Sequence, residues 1–232
     1  MDPWVLRMRW EELLFAHWPV PAAPLASLLH PDLELDTYDG QAWLGIVPFR
    51  MAGTAPRLCP ALPGLSDFLE LNVRTYVRHR NRPGVWFFSL DANSWFGVRA
   101  ARLTYYLPYL DAAMSAERHG SRLRYRSRRT DWRTGPASLD IEYEPAGPPM
   151  ASRPGSHEHW LTERYRLYSQ TPGGRLVFGE VQHEPWPLQP AIAAIHELNM
   201  TAWMGLKLPA AAPLLHYAGS LRVRAGRPRF AP

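Results

Sequence analysis

Apolar and polar residues alternate along several short stretches of the chain, a spacing typical of β-strands. The clearest stretch is Glu70–Val77. One face of the predicted strand carries Leu71, Val73, Thr75 and Val77. The opposite face carries Glu70, Asn72, Arg74 and Tyr76. The next apolar stretch, Val85–Leu90, is continuous, which predicts a central strand buried on both faces.

Turn residues separate further strand candidates. The pairs Asp39-Gly40 and His119-Gly120 and the triplet Pro172-Gly173-Gly174 each lie between apolar stretches, the pattern of a hairpin. The predicted hairpin strands are Leu33–Thr37 with Gln41–Phe49, Ala112–Arg118 with Arg122–Thr130, and Glu163–Ser169 with Arg175–His183. Single strands are predicted at Ser138–Tyr143 and Leu215–Val223, and a loop at Arg50–Ser66.

Helical spacing is confined to three short segments, Leu25–Leu29, Ser94–Tyr105 and Pro190–Met200. About ten short strands with two or three helices, and no alternation of strand and helix, favour a β-rich α+β fold. A barrel or a strongly curved mixed sheet therefore fits better than a doubly wound sheet.

Composition narrows the class of protein. The chain is 46% hydrophobic and 12% aromatic, which is ample for a buried core. It contains no apolar run of the roughly 20 residues that a membrane helix needs, and the first ten residues include Asp2, Arg7 and Arg9. We expect a cytoplasmic protein without a membrane partner. The single cysteine, Cys59, excludes an internal disulfide.

The basic residues limit the chemistry. Of the 26 basic residues only Lys207 is a lysine, and the rest are arginines. Arginine cannot form an imine, so a Schiff-base mechanism would have to use Lys207.

Several motifs together resemble the YqjF-like family, also called the family of domain of unknown function 2071. They are His17-Trp18-Pro19-Val20, Val47-Pro48-Phe49-Arg50-Met51, Glu70-Leu71-Asn72-Val73-Arg74-Thr75-Tyr76-Val77, Val85-Trp86-Phe87-Phe88-Ser89-Leu90-Asp91-Ala92, Pro154-Gly155-Ser156 and Leu161-Thr162-Glu163-Arg164-Tyr165. The resemblance implies a fold similar to acetoacetate decarboxylase: one closed or nearly closed antiparallel or mixed β-barrel around a small-molecule site. It implies a single domain over 1–232, with residues 1–9 as an N-terminal extension and 209–232 as a C-terminal tail. The decarboxylase uses a barrel lysine, whereas no lysine occurs in Met1–Leu206, so that mechanism is disfavoured.

The polar face of the predicted strand Glu70–Val77 supplies the candidate site. Arg74 could hold a carboxylate or enolate, and a desolvated Glu70 could act as a general base. We expect Glu70, Arg74 and Glu163 to converge as catalytic residues, with ligand contacts from Asn72, Tyr76 and Tyr165. Two alternatives stay open: this face lies in water, or Glu163 and Arg74 form a structural ion pair.

Other chemistry has weaker support. Glutamate adjoins histidine in His157-Glu158-His159, His183-Glu184 and His196-Glu197, but Met200 stands where a zinc-protease helix needs its second histidine. We therefore assign no metal and no cofactor. An arginine stripe, Arg122, Arg124, Arg126 and Arg128, lacks a nucleic-acid-binding module beside it, so a nucleic-acid partner is not expected.

The sequence therefore predicts a small-molecule-binding barrel acting on a small carboxylate or carbonyl compound by acid–base chemistry. The alternative is a non-catalytic sensor or interaction protein whose barrel is filled by its own side chains. Self-association into a homo-oligomer is compatible with either.

Overall fold

The computed structural model describes residues 4–62 and 65–232. Its strands are β1 Leu6–Val20, β2 Glu34–Leu35, β3 Ala42–Pro56, β4 Phe68–His79, β5 Arg82–Ala92, β6 Tyr109–His119, β7 Arg122–Arg129, β8 Ser138–Pro145, β9 Met150–Ala151, β10 Arg166–Gln170, β11 Leu176–Gln182, β12 Pro187–Asn199, β13 Leu214–Ala225 and β14 Arg229–Phe230. Its helices are α1 Ala22–Ala26, α2 Trp95–Tyr105 and α3 His157–Thr162, with a 3-10 turn at Ala202–Met204. None of these helices is long and apolar enough to cross a membrane.

Seven strands pair around a ring. Starting from β1, the order is β3, β4, β5, β10, β11 and β13, which pairs again with β1. The pairs are antiparallel except for β5 with β10. Between β11 and β13 the ring is closed by two residue pairs, Val181 with Ala225 and Gln182 with Arg224. This arrangement confirms the β-rich α+β class and a nearly closed mixed barrel.

A second layer covers one side of the barrel. Strands β6, β7, β8 and β12 continue from β5 and return to β13. As a result β1, β3 and β4 have an apolar cluster on each side, one inside the barrel around Phe15, Phe49 and Tyr76 and one between the layers around Leu71 and Ile141. Both faces of β4 are therefore buried.

The predicted helix at Pro190–Met200 is wrong, because this segment lies in strand β12. Ala191 and Ala193 alternate inward, and a bulge between Ile195 and Glu197 then shifts the register before Leu198 packs against the same cluster. The helical spacing was carried by Ile192, Ile195 and Met200, and the strand leaves the two isoleucines exposed.

Three further boundaries differ from the sequence predictions. The hairpin strand expected from Glu163 starts at Arg166, because the short helix α3 occupies 157–162. Strand β3 continues to Pro56, which shortens the predicted loop Arg50–Ser66, and Pro63 and Gly64 of that loop lie outside the described residues. Near the two ends of the chain, β1 and β13 pair from Leu6 with Ala225 onward, so residues 6–9 and 214–225 belong to barrel strands.

Candidate functional site

The polar face of β4 lines the barrel interior. Glu70 is 2% exposed, Asn72 6% and Tyr76 0%, while Arg74 is half-buried. The alternative that this face lies in water is therefore wrong. This face packs into the cluster inside the barrel, to which Tyr76 belongs, while Leu71 and Val73 on the opposite face pack against the second layer.

Glu70 is a buried carboxyl with two polar neighbours. The Tyr109 hydroxyl donates to its Oε2 at 2.8 Å. Burial raises the pKa of Glu70 to about 7, although hydrogen bonds from Tyr109 and Asn72 act in the opposite direction. A carboxyl with this pKa exchanges a proton near neutral pH, as general acid–base catalysis requires.

Arg74 lies at one end of a row across three strands, with Gly45 at its centre. His17 of β1 pairs with Gly45 of β3, and Gly45 pairs with Arg74 of β4. A Cβ on Gly45 would lie 3.1 Å from His17 Cδ2 and 3.4 Å from Arg74 Cγ. The missing side chain therefore leaves room for His17 and Arg74 to approach each other inside the barrel.

The Arg74 guanidinium has no carboxylate partner among the described residues. One of its nitrogens donates to the Leu161 carbonyl at 3.3 Å, and its Nε has no acceptor. Its carbon lies 5.4 Å from the Phe15 ring centroid and 5.8 Å from that of Tyr76. A half-buried guanidinium that lacks a counter-ion is suited to bind an anion.

Tyr76 and His17 form a buried pair. The Tyr76 hydroxyl and His17 Nε2 are 2.6 Å apart. Burial lowers the pKa of His17 well below its usual range, and the charge of Arg74 adds to this effect. Burial raises the pKa of Tyr76, partly offset by Arg74 and Arg164. His17 is therefore neutral and Tyr76 is protonated at pH 7.

Aromatic rings and histidines surround this row at the α3 end of the barrel. We call Trp43, His157, Trp160 and His216 the outer cluster. The His157 ring centroid lies 4.4 Å from that of Trp43 and 6.3 Å from that of Trp160. Trp160 lies 4.6 Å from Tyr76, which joins the cluster to the row.

Buried nitrogens without a hydrogen-bond partner concentrate in this barrel. Within the described ranges they belong to Trp10, His17, Trp43, Arg74, His157, Trp160, Arg164, Trp186 and His216. Each unpaired buried polar group costs about 1–3 kcal/mol. The interior therefore offers many hydrogen-bond donors to a ligand that carries oxygen acceptors.

Glu163 and Tyr165 lie at the edge of this arrangement. Glu163 follows helix α3, and its carboxylate accepts from Tyr165 Oη and from the Trp186 backbone N–H, the latter at 2.9 Å. Tyr165 is 37% exposed. No hydrogen bond or ion pair of the described residues joins Glu163 to Glu70 or Arg74, so the alternative of a Glu163–Arg74 ion pair is wrong.

Sequence reasoning gave no role to His17 or to the outer cluster. His17 lies within one of the motifs of the family resemblance, but a single histidine on an apolar strand carries no signal of its partner. His157, Trp160 and His216 come together through α3 and β13, which are distant in sequence. Predicting the cluster would require knowing that β13 pairs with β1, which places His216 beside Phe15.

The remaining basic residues lie elsewhere. Lys207 is exposed, and its neighbours Leu206 and Leu208 pack between the layers rather than inside the barrel. Within the arginine stripe, Arg122, Arg124 and Arg126 pair with acidic residues, which reduces the attraction for a polyanion. A surface depression of about 670 Å³ lies beside the stripe and outside the barrel.

No metal-binding group of three or more His, Cys, Asp or Glu residues occurs in the part of the chain that the structure describes.

Solved structures with the same architecture define the fold. The enduracididine biosynthesis enzyme MppR complexed with pyruvate is 13% identical, with a TM-score of 0.67 over 99% of this chain and 91% of its own. Acetoacetate decarboxylase from Legionella pneumophila is 13% identical, with a TM-score of 0.66 over 98% and 87%. An acetoacetate decarboxylase-like enzyme from Sphingomonas wittichii RW1 is 15% identical, with a TM-score of 0.65 over 98% and 93%. The fold is that of the acetoacetate decarboxylase-like barrels.

Sequence comparison identifies the family within that fold. Residues 7–222 match the model of DUF2071, described as an uncharacterized conserved protein. The chain is 42% identical over 215 residues to the uncharacterized protein YqjF of Bacillus subtilis (strain 168), covering 93% of this chain and 88% of YqjF. The chain belongs to the DUF2071 family.

Proposed function

We propose that the barrel interior binds a small organic acid, with its carboxylate against Arg74, and exchanges a proton with it through Glu70. The observation that carries the proposal is the Arg74 guanidinium, half-buried inside the barrel, whose Nε lacks an acceptor. A carboxylate can accept two parallel hydrogen bonds from one guanidinium. Such a ligand would also supply the missing counter-ion.

The fold is consistent with this ligand class. One protein that shares it, MppR, is described as complexed with pyruvate, which is a small 2-oxo carboxylate. The identity between the two chains is 13%, so the comparison shows a shared fold, and the proposed ligand class rests on Arg74.

Glu70 is the proposed acid–base group. A carbon acid bound in the barrel would give the proton next to its carbonyl to the Glu70 carboxylate, and the C–H electrons would move onto the carbonyl oxygen. The resulting enolate would return to the neutral compound by taking the proton back. Glu70 and Arg74 are four residues apart on one strand, or roughly 13 Å between Cα atoms. Asn72 lies between them with an unpaired Oδ1, so it is proposed to contact the ligand.

The other candidate residues support the site from its sides. Tyr76 is proposed to contact the ligand through the face of its ring beside Arg74. Glu163 and Tyr165 are proposed to act at the rim, where Glu163 holds the backbone of Trp186 and thereby the wall of the barrel. No step of the proposal uses an imine, since Lys207 lies outside the barrel.

The alternative function is a sensor or interaction protein with a filled barrel. It is favoured by the density of the interior, where Phe15, Phe87, Leu161 and Trp186 all belong to one buried cluster. A barrel filled in this way would bind no small acid.

Calorimetric titration with pyruvate and acetoacetate tests the binding. We expect wild type to bind at least one of them and Arg74→Gln to lose at least tenfold in affinity, because the charge-assisted pair with the carboxylate is gone. Arg128→Gln, an exposed arginine of β7, is the matched control and should bind as wild type does. Absence of binding by wild type would favour the filled barrel, and equal binding by Arg74→Gln would show that the acid does not bind at Arg74.

Deuterium exchange into the methyl group of pyruvate, followed by NMR in D₂O, tests the acid–base step. We expect wild-type protein to accelerate the exchange and Glu70→Gln to abolish the acceleration while still binding pyruvate. Exchange that persists in Glu70→Gln would assign the base to another residue.

A further inference from the structure

We propose that the outer cluster is a second oxygen-binding subsite beyond Arg74, so that the ligand is a dicarboxylate rather than a simple monocarboxylate. This inference rests on the part of the proposed function in which Arg74 holds the first carboxylate, and it does not use the proton exchange at Glu70, which lies on the other side of Arg74 along β4. It adds the class of ligand and four further binding residues.

Unpaired nitrogens of the outer cluster are the main support. Trp43 Nε1, His157 Nε2, Trp160 Nε1 and His216 Nδ1 are all buried, and none has a hydrogen-bond partner among the described residues. The two indole nitrogens are obligate donors, and either histidine can place its proton on the unpaired nitrogen. A ligand with only one carboxylate, held at Arg74, would leave these donors unpaired.

The position of the cluster fits the far end of a short ligand. On β3, Trp43 lies two residues from Gly45, the neighbour of Arg74, which is about 7 Å along the strand. On β13, His216 pairs with Phe15, whose ring lies beside the Arg74 guanidinium. Arg74 and the outer cluster therefore border the same end of the barrel.

The titratable groups around the subsite are two neutral histidines, two carboxylates and one paired arginine. Burial lowers the pKa of His157 and of His216, so both rings are neutral at pH 7. Each neutral ring can donate one hydrogen bond to a ligand from its unpaired nitrogen. The carboxylate that faces them, Glu158, is engaged by Ser156 and by its own backbone N–H, and Asp39 acts on His157 from the turn before β3. Arg164 packs over Trp160 but is paired with Asp36 at 2.7 Å.

A carboxylate matches this donor set better than a hydroxyl or a carbonyl. It offers about four acceptor positions on two oxygens, whereas a carbonyl offers two and a hydroxyl also needs an acceptor. Because the donor nitrogens themselves are buried, hydrogen bonds from them to a charged acceptor are stronger than they would be in water.

Matched acids of equal chain length provide the test. Affinities of wild type would be measured by calorimetry for succinate, glutarate and adipate and for butanoate, pentanoate and hexanoate. We expect at least one dicarboxylate to bind about tenfold more tightly than its monocarboxylate counterpart, the effect of one or two additional hydrogen bonds. Equal affinity within every pair would overturn the inference.

Two variants test whether the outer cluster causes the preference for a dicarboxylate. Trp43→Phe with His157→Phe removes two donors and keeps two rings, so the preference for the dicarboxylate should disappear while the monocarboxylate still binds. Trp132→Phe, at a tryptophan that is 90% exposed, should leave the preference intact. If the double variant is unfolded by circular dichroism, Trp43→Phe alone should reduce the preference. A preference that survives the loss of these donors would contradict the subsite.

The affinities of wild type and Arg74→Gln for both classes of acid distinguish failure of this inference from failure of the proposed function. Arg74→Gln should weaken both classes of acid. If wild type binds neither class, the proposed function fails and this inference with it, whereas binding of both classes equally overturns only the second subsite.

Discussion

Replacing Glu70 by glutamine should make the protein more stable at neutral and alkaline pH relative to wild type. The pKa of Glu70 is raised from 4.5 to about 7 by burial. At 1.36 kcal/mol per pKa unit, the ionised form costs the folded state about 3 kcal/mol. Glutamine has nearly the same shape, can accept the bond from Tyr109 and never ionises.

The pH range of the effect follows from proton binding. Between pH 4.5 and about 7 the folded protein keeps a proton on Glu70 that the unfolded chain has lost, so wild-type stability falls as pH rises through this range. Above about pH 7 both states are ionised and the cost is constant. The stability of Glu70→Gln relative to wild type should therefore increase by about 3 kcal/mol from pH 4.5 to pH 8.

Urea unfolding at four pH values from 4.5 to 8 measures the difference. Tyr109→Phe serves as a second variant, because the loss of its hydrogen bond should raise the pKa of Glu70 and extend the fall in stability to higher pH. A difference between Glu70→Gln and wild type that does not change with pH would refute the assignment of a raised pKa to Glu70.

Two other substitutions test the interior. Gly45→Ala should weaken binding of small acids at least tenfold, because its Cβ would lie 3.1 Å from the His17 ring. Gly219→Ala, whose Cβ would lie 3.8 Å from the Tyr217 ring, should bind as wild type does by calorimetry. Arg129→Met should lower the unfolding free energy in urea by about 3–5 kcal/mol, because it leaves Asp91 buried and unpaired; a loss below 1 kcal/mol would contradict the burial of that pair.

Local patterns predicted much of the sheet. The alternation in Glu70–Val77 and the continuous apolar stretch Val85–Leu90 both correspond to strands, and Ser94 caps α2 by accepting from the Gly97 N–H. These signals depend on neighbours within a few residues. They can therefore be recognised in the sequence without knowledge of the rest of the fold.

Features that depend on distant contacts were not predictable. The helix predicted over Pro190–Met200 depended on isoleucines that strand β12 leaves exposed, and the alternation through Glu163 hid the end of α3. The alternation within β4 shows that the strand has a polar face, but it does not show whether that face is exposed to solvent or buried. That depends on which face of β4 the second layer covers. For the same reason the sequence predicted Arg74 as a candidate but not His17, which is joined to it through Gly45.

The central claim is that Arg74 binds the carboxylate of a small acid inside the barrel. A crystal structure of the protein soaked with the tightest-binding acid from the calorimetric series tests it directly. The account predicts carboxylate oxygens within hydrogen-bond distance of the Arg74 guanidinium, between the rings of Phe15 and Tyr76. An acid bound only on the outer surface, with the Arg74 guanidinium free of it, would contradict the account.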